Sequence, residues 1–165
     1  MNKSLKVVCF LSLSLFLFAC SGDEINDEDQ VRRYIDTAKT ATEERSYDDI
    51  AVLLHSGYSD HKRRNKTTLL NLVRQYFFMH DNIHLLTRID EMVFHSENKV
   101  KVIVYVAMAG NVISDASVLS SLRAKVYRFE LQLIKQDEWL LQLADWQRSS
   151  VKEMMQSLNT TVETI

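Results

Sequence analysis

The sequence predicts an α+β domain, with helices first and a mainly antiparallel sheet after them. Three observations carry this. Apolar residues recur at helical spacing as far as Phe77. From Ile83 the period changes to two. The runs 123–134 and 139–147, joined by Lys135-Gln136-Asp137-Glu138, can be laid against each other as a hairpin. Helices that precede strands, rather than alternate with them, give an α+β layout.

The first helix carries Val31, Tyr34, Ile35, Ala38 and Ala41 as one stripe, with Asp27 as its cap and Gln30 three residues on. Ser46 with Asp49 opens a short second helix bearing Ile50, Leu53 and Leu54, and Gly57 is placed to stop it. A third stripe of Leu69, Leu72, Val73, Tyr76 and Phe77 follows Asn65 or Thr67 as cap. Residues 83–94 then alternate through Ile83, Leu85, Ile89 and Val93. In KVKVIVYVAM, residues 99–108, Val100, Val102, Val104, Val106 and Met108 share one face. Ile103, Tyr105 and Ala107 share the other, so this strand is expected to be buried on both sides. The hairpin is expected to place Ile134 opposite Trp139, Leu133 opposite Leu140, Phe129 opposite Ala144 and Arg128 opposite Asp145. Four strands result. Ser150 and Glu153 make a capping box for a C-terminal helix or tail over 149–165, lined by Val151, Met154, Met155, Leu158 and Val162.

The chain has 165 residues, enough for one domain with a core. Apolar content of 46% with 25% charged residues is the mix of a globular protein. The net charge is −2, and a chain starting at Cys20 would lose Lys3 and Lys6. That balance argues against general nucleic-acid binding, which needs a basic face. Only Cys9 and Cys20 are present, so no zinc-type cysteine spacing exists. His80 and His84 are four apart, but Asp81-Asn82 is expected to end the helix between them, so neither a metal nor another cofactor is expected. His55 and His95 read as turn-side residues.

The start of the chain reads as an address. Lys3 and Lys6 precede the apolar run VVCFLSLSLFLFA, residues 7–19. As a helix it would reach ~20 Å, short of a ~30 Å hydrocarbon core. A basic start and a short apolar middle make a secretory signal peptide over 1–19. Leu17-Phe18-Ala19-Cys20 resembles the bacterial lipobox, which implies a lipidated Cys20 as the new N-terminus. Phe18 is bulkier than the usual residue of that motif. Two or more acyl chains hold a protein stably on a membrane. By the sorting pattern of Gram-negative lipoproteins, Ser21 rather than Asp after the cysteine implies the periplasmic face of the outer membrane. Residues 20–27 are expected to be the lipidated cysteine and an acidic tether, and 28–148 the domain proper.

The stretch YSDHKRRNKTTLLNLVRQYFF and the ending YRFELQLIKQDEWLLQLADWQR are similar to bacterial members of the nuclear transport factor 2-like (cystatin-like cone) superfamily. The resemblance covers about residues 28–148 and implies helices packed on a strongly curved sheet. Members often have glycine where Glu138 stands here. The superfamily holds enzymes and non-catalytic binding modules, so fold does not supply function.

The resemblance to ketosteroid isomerase-like relatives implies Asp60 as a general base, with Tyr105 or Tyr127 and Asp145 as donors. Tyr58, Asp60, Lys62, Arg63, Arg64, Tyr105 and Tyr127 are therefore candidates for a ligand or anion site. The run from His61 to Lys66 puts four cations just before a helix start, where free N–H groups would add to their pull on an anion. The alternative is a solvated loop. Arg128, Glu130, Trp139, Leu141, Leu143 and Asp145 are expected on a mixed apolar and charged sheet face, which reads either as an interface for a second copy or an envelope protein, or as a surface covered by the C-terminal helix. The leading expectation is a lipid-anchored, non-catalytic module for a small apolar ligand or an envelope protein. An isomerase- or dehydratase-type enzyme centred on Asp60, and an envelope assembly or scaffold factor using the sheet face, are the alternatives.

Overall fold

The computed structural model describes residues 26–160, with side chains described through residue 156. The signal peptide, the lipobox cysteine and most of the acidic tether lie outside the described residues. Helix α1 (Asp27–Glu43) starts inside the stretch read as tether. Its cap is Asn26, one residue before the expected Asp27: the Asn26 side chain accepts from the Asp29 N–H at 2.8 Å. Asp27 instead pairs with Lys135 at 2.6 Å, linking the helix start to the last hairpin.

The end of α1 is closed by two reverse bonds, Ser46 N–H to the Ala41 carbonyl at 2.8 Å and Arg45 N–H to Thr42 at 3.2 Å. Arg45 takes the left-handed conformation this closure needs, φ 56°. Its guanidinium donates to the carbonyls of Phe77 and His80 at 3.5 and 3.4 Å. It thereby supplies cationic donors to the exposed carbonyls at the end of α3. Helix α2 (Tyr47–Val52) begins at Ser46 as expected, and α3 (Lys66–Met79) at Asn65, whose side chain accepts from Thr68 N–H at 2.9 Å.

One element differs in kind from the sequence reading. Helix α2 ends at Val52, and Gly57 does not stop it; Leu54–Asp60 form a strand, β1. The others are β2 (His84–Ser96), β3 (Lys99–Ala109), β4 (Lys125–Lys135) and β5 (Trp139–Ser149). The sheet therefore has five strands in the order β1-β5-β4-β3-β2. All neighbours are antiparallel except β1 and β5, which run parallel. In β1 only Leu54 and Tyr58 are apolar, too few to show alternation, so the strand is set by its partner.

The β4–β5 register also differs. Lys135, not Ile134, faces Trp139, and Ile134 faces Leu140. A bulge opposite Gln132 and Leu133 then shifts the pairing again, so that Phe129 faces Trp146 and Glu130 faces Asp145. The expected pairs Phe129–Ala144 and Arg128–Asp145 do not form. The bulge has a packing cause. Trp139 and Leu141 pack into the core, and so do Ala144 and Trp146. Sites of odd and even number can share one face of a strand only if an extra residue intervenes. Gln142 is that residue.

Helices α1 and α3 cover the inner face. Val31, Tyr34 and Ile35 of α1 and Leu70 of α3 meet Val100, Val102, Val104, Leu131, Leu133 and Trp139. As expected, β3 is buried on both sides. On its outer side, Tyr105, Ala107 and Val126 pack with Leu119 and with Met154 of α4 (Val151–Thr160). The capping box forms as read: Glu153 N–H reaches the Ser150 hydroxyl at 3.1 Å, and Ser150 N–H reaches the Glu153 carboxylate at 3.1 Å.

Candidate functional site

Asp60 ends β1 beside Ala144, on the inner face, with its side chain wholly buried. The chain then reverses in a tight loop: Arg63 N–H returns to the Asp60 carbonyl at 2.7 Å, with Arg63 at φ 58°. This reversal turns the following N–H groups onto the carboxylate. One oxygen accepts from Lys62 and Arg64 N–H at 2.8 and 3.1 Å, and the other from Arg64 Nε at 2.6 Å. Burial alone would raise the Asp60 pKa. The bonds from Arg64 and Lys62 and the Arg64 charge outweigh it, and the carboxyl is held below its ordinary value. Tyr58, buried two residues before, is pushed the other way by burial and by the Asp60 charge, so its hydroxyl stays protonated.

A general base needs a pKa near the working pH and a free lone pair aimed at substrate. Asp60 has its pKa moved away from neutrality and both oxygens engaged. The partners implied for it do not converge either. Tyr105 packs on the outer side with Met154, and Asp145 faces Glu130 across the strands on that same side. Tyr127 alone shares the inner face, beside Phe129.

The cationic run divides. Arg64 is turned in onto Asp60 and lies 5.0 Å over the Trp146 ring. Lys66 donates to the Leu54 carbonyl at 2.7 Å. His61 meets Trp146 edge-on at 4.7 Å and Asp145 at 3.3 Å. Lys62 and Arg63 remain exposed. Much of the run thus fastens β1 and α3 to the sheet.

The mixed sheet face divides too. Trp139 and Leu141, expected on it, lie in the inner core because of the bulge. Leu143 stays outside, 38% exposed, with Arg128, Glu130 and Asp145. There Glu130 takes the place expected for Asp145 as partner of Arg128, at 3.7 Å, and binds Lys101 at 2.8 Å. Helix α4 covers the part of this side around Tyr105 and Val126.

A groove that the sequence reading missed opens between α1 and the start of β5. It has a volume of about 1230 Å³. Arg33, Tyr34 and Thr37 of α1, Val52 and Leu53, and Trp139 and Leu140 of β5 line it. The Asp27–Lys135 pair, Asp137 and Glu138 also line it. Arg33 and Thr37 lie on the polar side of α1, so nothing in the periodicity marks them as lining a groove. The buried indole N–H of Trp139 has no partner among the described residues. Among the described residues no cluster of His, Cys, Asp and Glu is placed to hold a metal, and no helix is long and apolar enough to cross a membrane. His80 stacks on Tyr76 at 4.0 Å with its Nδ1 2.9 Å from the Tyr76 carbonyl oxygen, while His84 opens β2.

Neither a protein-family model nor a curated protein sequence matches the chain. Solved structures do. Bd1075 of Bdellovibrio bacteriovorus is 10% identical with a TM-score of 0.60; the match covers 74% of this chain but 40% of that one. A domain of unknown function with a cystatin-like fold from Nostoc punctiforme is 15% identical, TM-score 0.58, over 81% of this chain and 84% of its own. A hexachlorocyclohexane dehydrochlorinase is 10% identical, TM-score 0.59, over 74% and 85%. Enzymes and domains of unknown function thus share this architecture, and at such identity the likeness speaks of fold alone. The chain has the nuclear transport factor 2-like, or cystatin-like, fold.

Proposed function

We propose that this chain is a lipid-anchored, non-catalytic binding module on the periplasmic face of a Gram-negative outer membrane, and that its α1–β5 groove receives a segment of an envelope protein. The observation that carries the reading is the contrast between the Asp60 loop and the groove. Asp60, the one catalytic candidate, has both carboxylate oxygens engaged by its own loop. Val31, Val100, Val102 and Leu133 pack the inner face with no exposed surface, which disfavours a small apolar ligand against them. The groove is larger than the ~300–1,000 Å³ usual for small molecules and its lining mixes charged with apolar side chains, as suits a polypeptide. The anchor rests on Leu17-Phe18-Ala19-Cys20.

Two measurements test this. Intact-mass analysis of the protein from envelope membranes should show an acylated Cys20 as the first residue; an unmodified chain refutes the anchor. A photo-crosslinker at Thr37, on the groove wall, should give one discrete adduct in the envelope, lost when Arg33→Glu is added. The same probe at the exposed Lys152 should give none. A folded, membrane-held protein with no Thr37 adduct refutes the groove.

A further inference from the structure

Three side chains that line the α1–β5 groove carry unmatched charge. Arg33 of α1 and Asp137 and Glu138 of the β4–β5 turn are exposed, and among the described residues none of the three side chains has a hydrogen bond or an ion pair. The other charged lining residues, Asp27 and Lys135, satisfy each other at 2.6 Å. The unmatched signs are separated. The Asp27–Lys135 pair ties the turn to the start of α1, so Asp137 and Glu138 belong to that end of the groove. Arg33 stands six residues beyond Asp27, about 9 Å along the helix axis. Val52, 69% exposed, and Leu140 add apolar surface to the lining. Trp139 also lines the groove, and its buried indole N–H has no partner among the described residues.

We infer that the groove reads its occupant by charge. The segment it receives is extended, sets a basic side chain against Asp137 and Glu138, and sets an acidic side chain, about three residues away, against Arg33. Apolar side chains of the same segment meet Val52 and Leu140. This rests on the proposed role of the groove and adds the chemistry of what enters it. Charge complementarity selects the occupant. A wholly acidic segment would bring like charge to Asp137 and Glu138, and a wholly basic one would bring it to Arg33. Like-charge contact of this kind rejects wrong partners. A lipid tail would leave all three charges unmatched. The spacing follows from the strand rise of ~3.3 Å per residue, by which three residues cover ~10 Å. The Trp139 donor calls for an acceptor, and a polypeptide backbone carries a carbonyl at every residue. Exposed pairs are weak and screened by salt, so these charges set the choice of partner more than its strength.

The test uses the full chain, purified from envelope membranes in detergent, and capped, dye-labelled peptides read by fluorescence anisotropy. The peptide GSKLVEGS should bind with a Kd of about 1 mM or below. GSKLVKGS and GSELVEGS should each bind about tenfold more weakly, since each replaces an attraction with a repulsion. Arg33→Glu should reverse the order in favour of GSKLVKGS, and Asp137→Lys with Glu138→Lys should reverse it in favour of GSELVEGS. A photo-crosslinker at Thr37 should capture bound GSKLVEGS, and one at Lys152 should not. No binding of GSKLVEGS to the folded protein, equal binding of the three peptides, an order that the substitutions leave unchanged, or equal capture at Lys152 each overturns the inference. The Thr37 adduct formed in the envelope judges the groove itself separately. An envelope adduct together with indifference to peptide charge keeps the groove and overturns the charge reading. The predicted peptide order without an envelope adduct upholds the charge reading and overturns the envelope partner.

Discussion

On the inner face of the sheet, Val100, Val102 and Leu133 have no exposed surface, and two helices lie over them. On the outer face, cover is partial: Met154 of α4 seals the region around Tyr105, Ala107 and Val126, while Leu143 stays open among Lys101, Arg128, Glu130 and Asp145. The same strands supply both faces, so the difference lies in which residues alternate inward, valines and leucines, and which outward, Lys101, Arg128, Glu130 and Asp145, as well as in cover. The inner face is where stability is concentrated. The open part of the outer face is held by charge pairs in contact with water, which contribute little. The inner face is therefore the poor place for a ligand, and the proposed partner is assigned instead to the α1–β5 groove at its margin.

Substitutions can break this contrast in order of size. Leu133→Ala removes a fully buried side chain of the inner face and should cost about 4 kcal/mol in chemical denaturation. A loss below about 1 kcal/mol would show that the inner face is loosely packed. Asp60→Ala leaves Arg64 beside an empty site and should cost about 3 kcal/mol. Its pH signature is specific. The folded-state pKa lies below the unfolded one, so the stability from ionised Asp60 is fully present above about pH 4 and is lost as pH falls through the lowered value. Asp60→Asn should remove this part of the acid limb, and an unchanged acid limb would contradict the ion-pair role. Met154→Ala, on the covered part of the outer face, should cost about 2 kcal/mol and speed hydrogen exchange in α4 before other elements. Glu130→Gln, on the open part, should cost less than about 1 kcal/mol, with the difference fading in molar salt.

How far the sequence discloses this structure depends on where the signal resides. Helices α1 and α3 and strand β3 carry dense apolar periodicity and were legible, although the α1 cap falls at Asn26 rather than Asp27. Strand β1 was not, because LHSGYSD has no alternation and becomes a strand only through its distant partner. The β4–β5 register was misread for a related reason: the odd-to-even change between Leu141 and Ala144 signals a bulge, but only once both are known to be core. At the site, Asp60 was picked out by position within a family pattern, while its hydrogen-bonding was set by a backbone reversal at Arg63. The groove was invisible to periodicity, since it joins the polar side of one helix to the start of a remote strand.

The parallel pairing of β1 with β5 has a consequence for the order in which the chain can fold. β1 lies in the first half of the chain and its partner near the end, with Leu54 matched to Leu141 and Asp60 to Ala144. Such distant contacts make folding slow, because a long loop must close before they form. Until β5 has emerged, Tyr58 and Asp60 lack the strand beside which they are buried. Folding N-terminus first cannot complete the Asp60 loop. A chain cut short before Ala144 would leave Arg64 without Trp146 and Tyr105, Ala107 and Val126 without Met154, a target for proteases rather than a smaller version of the domain.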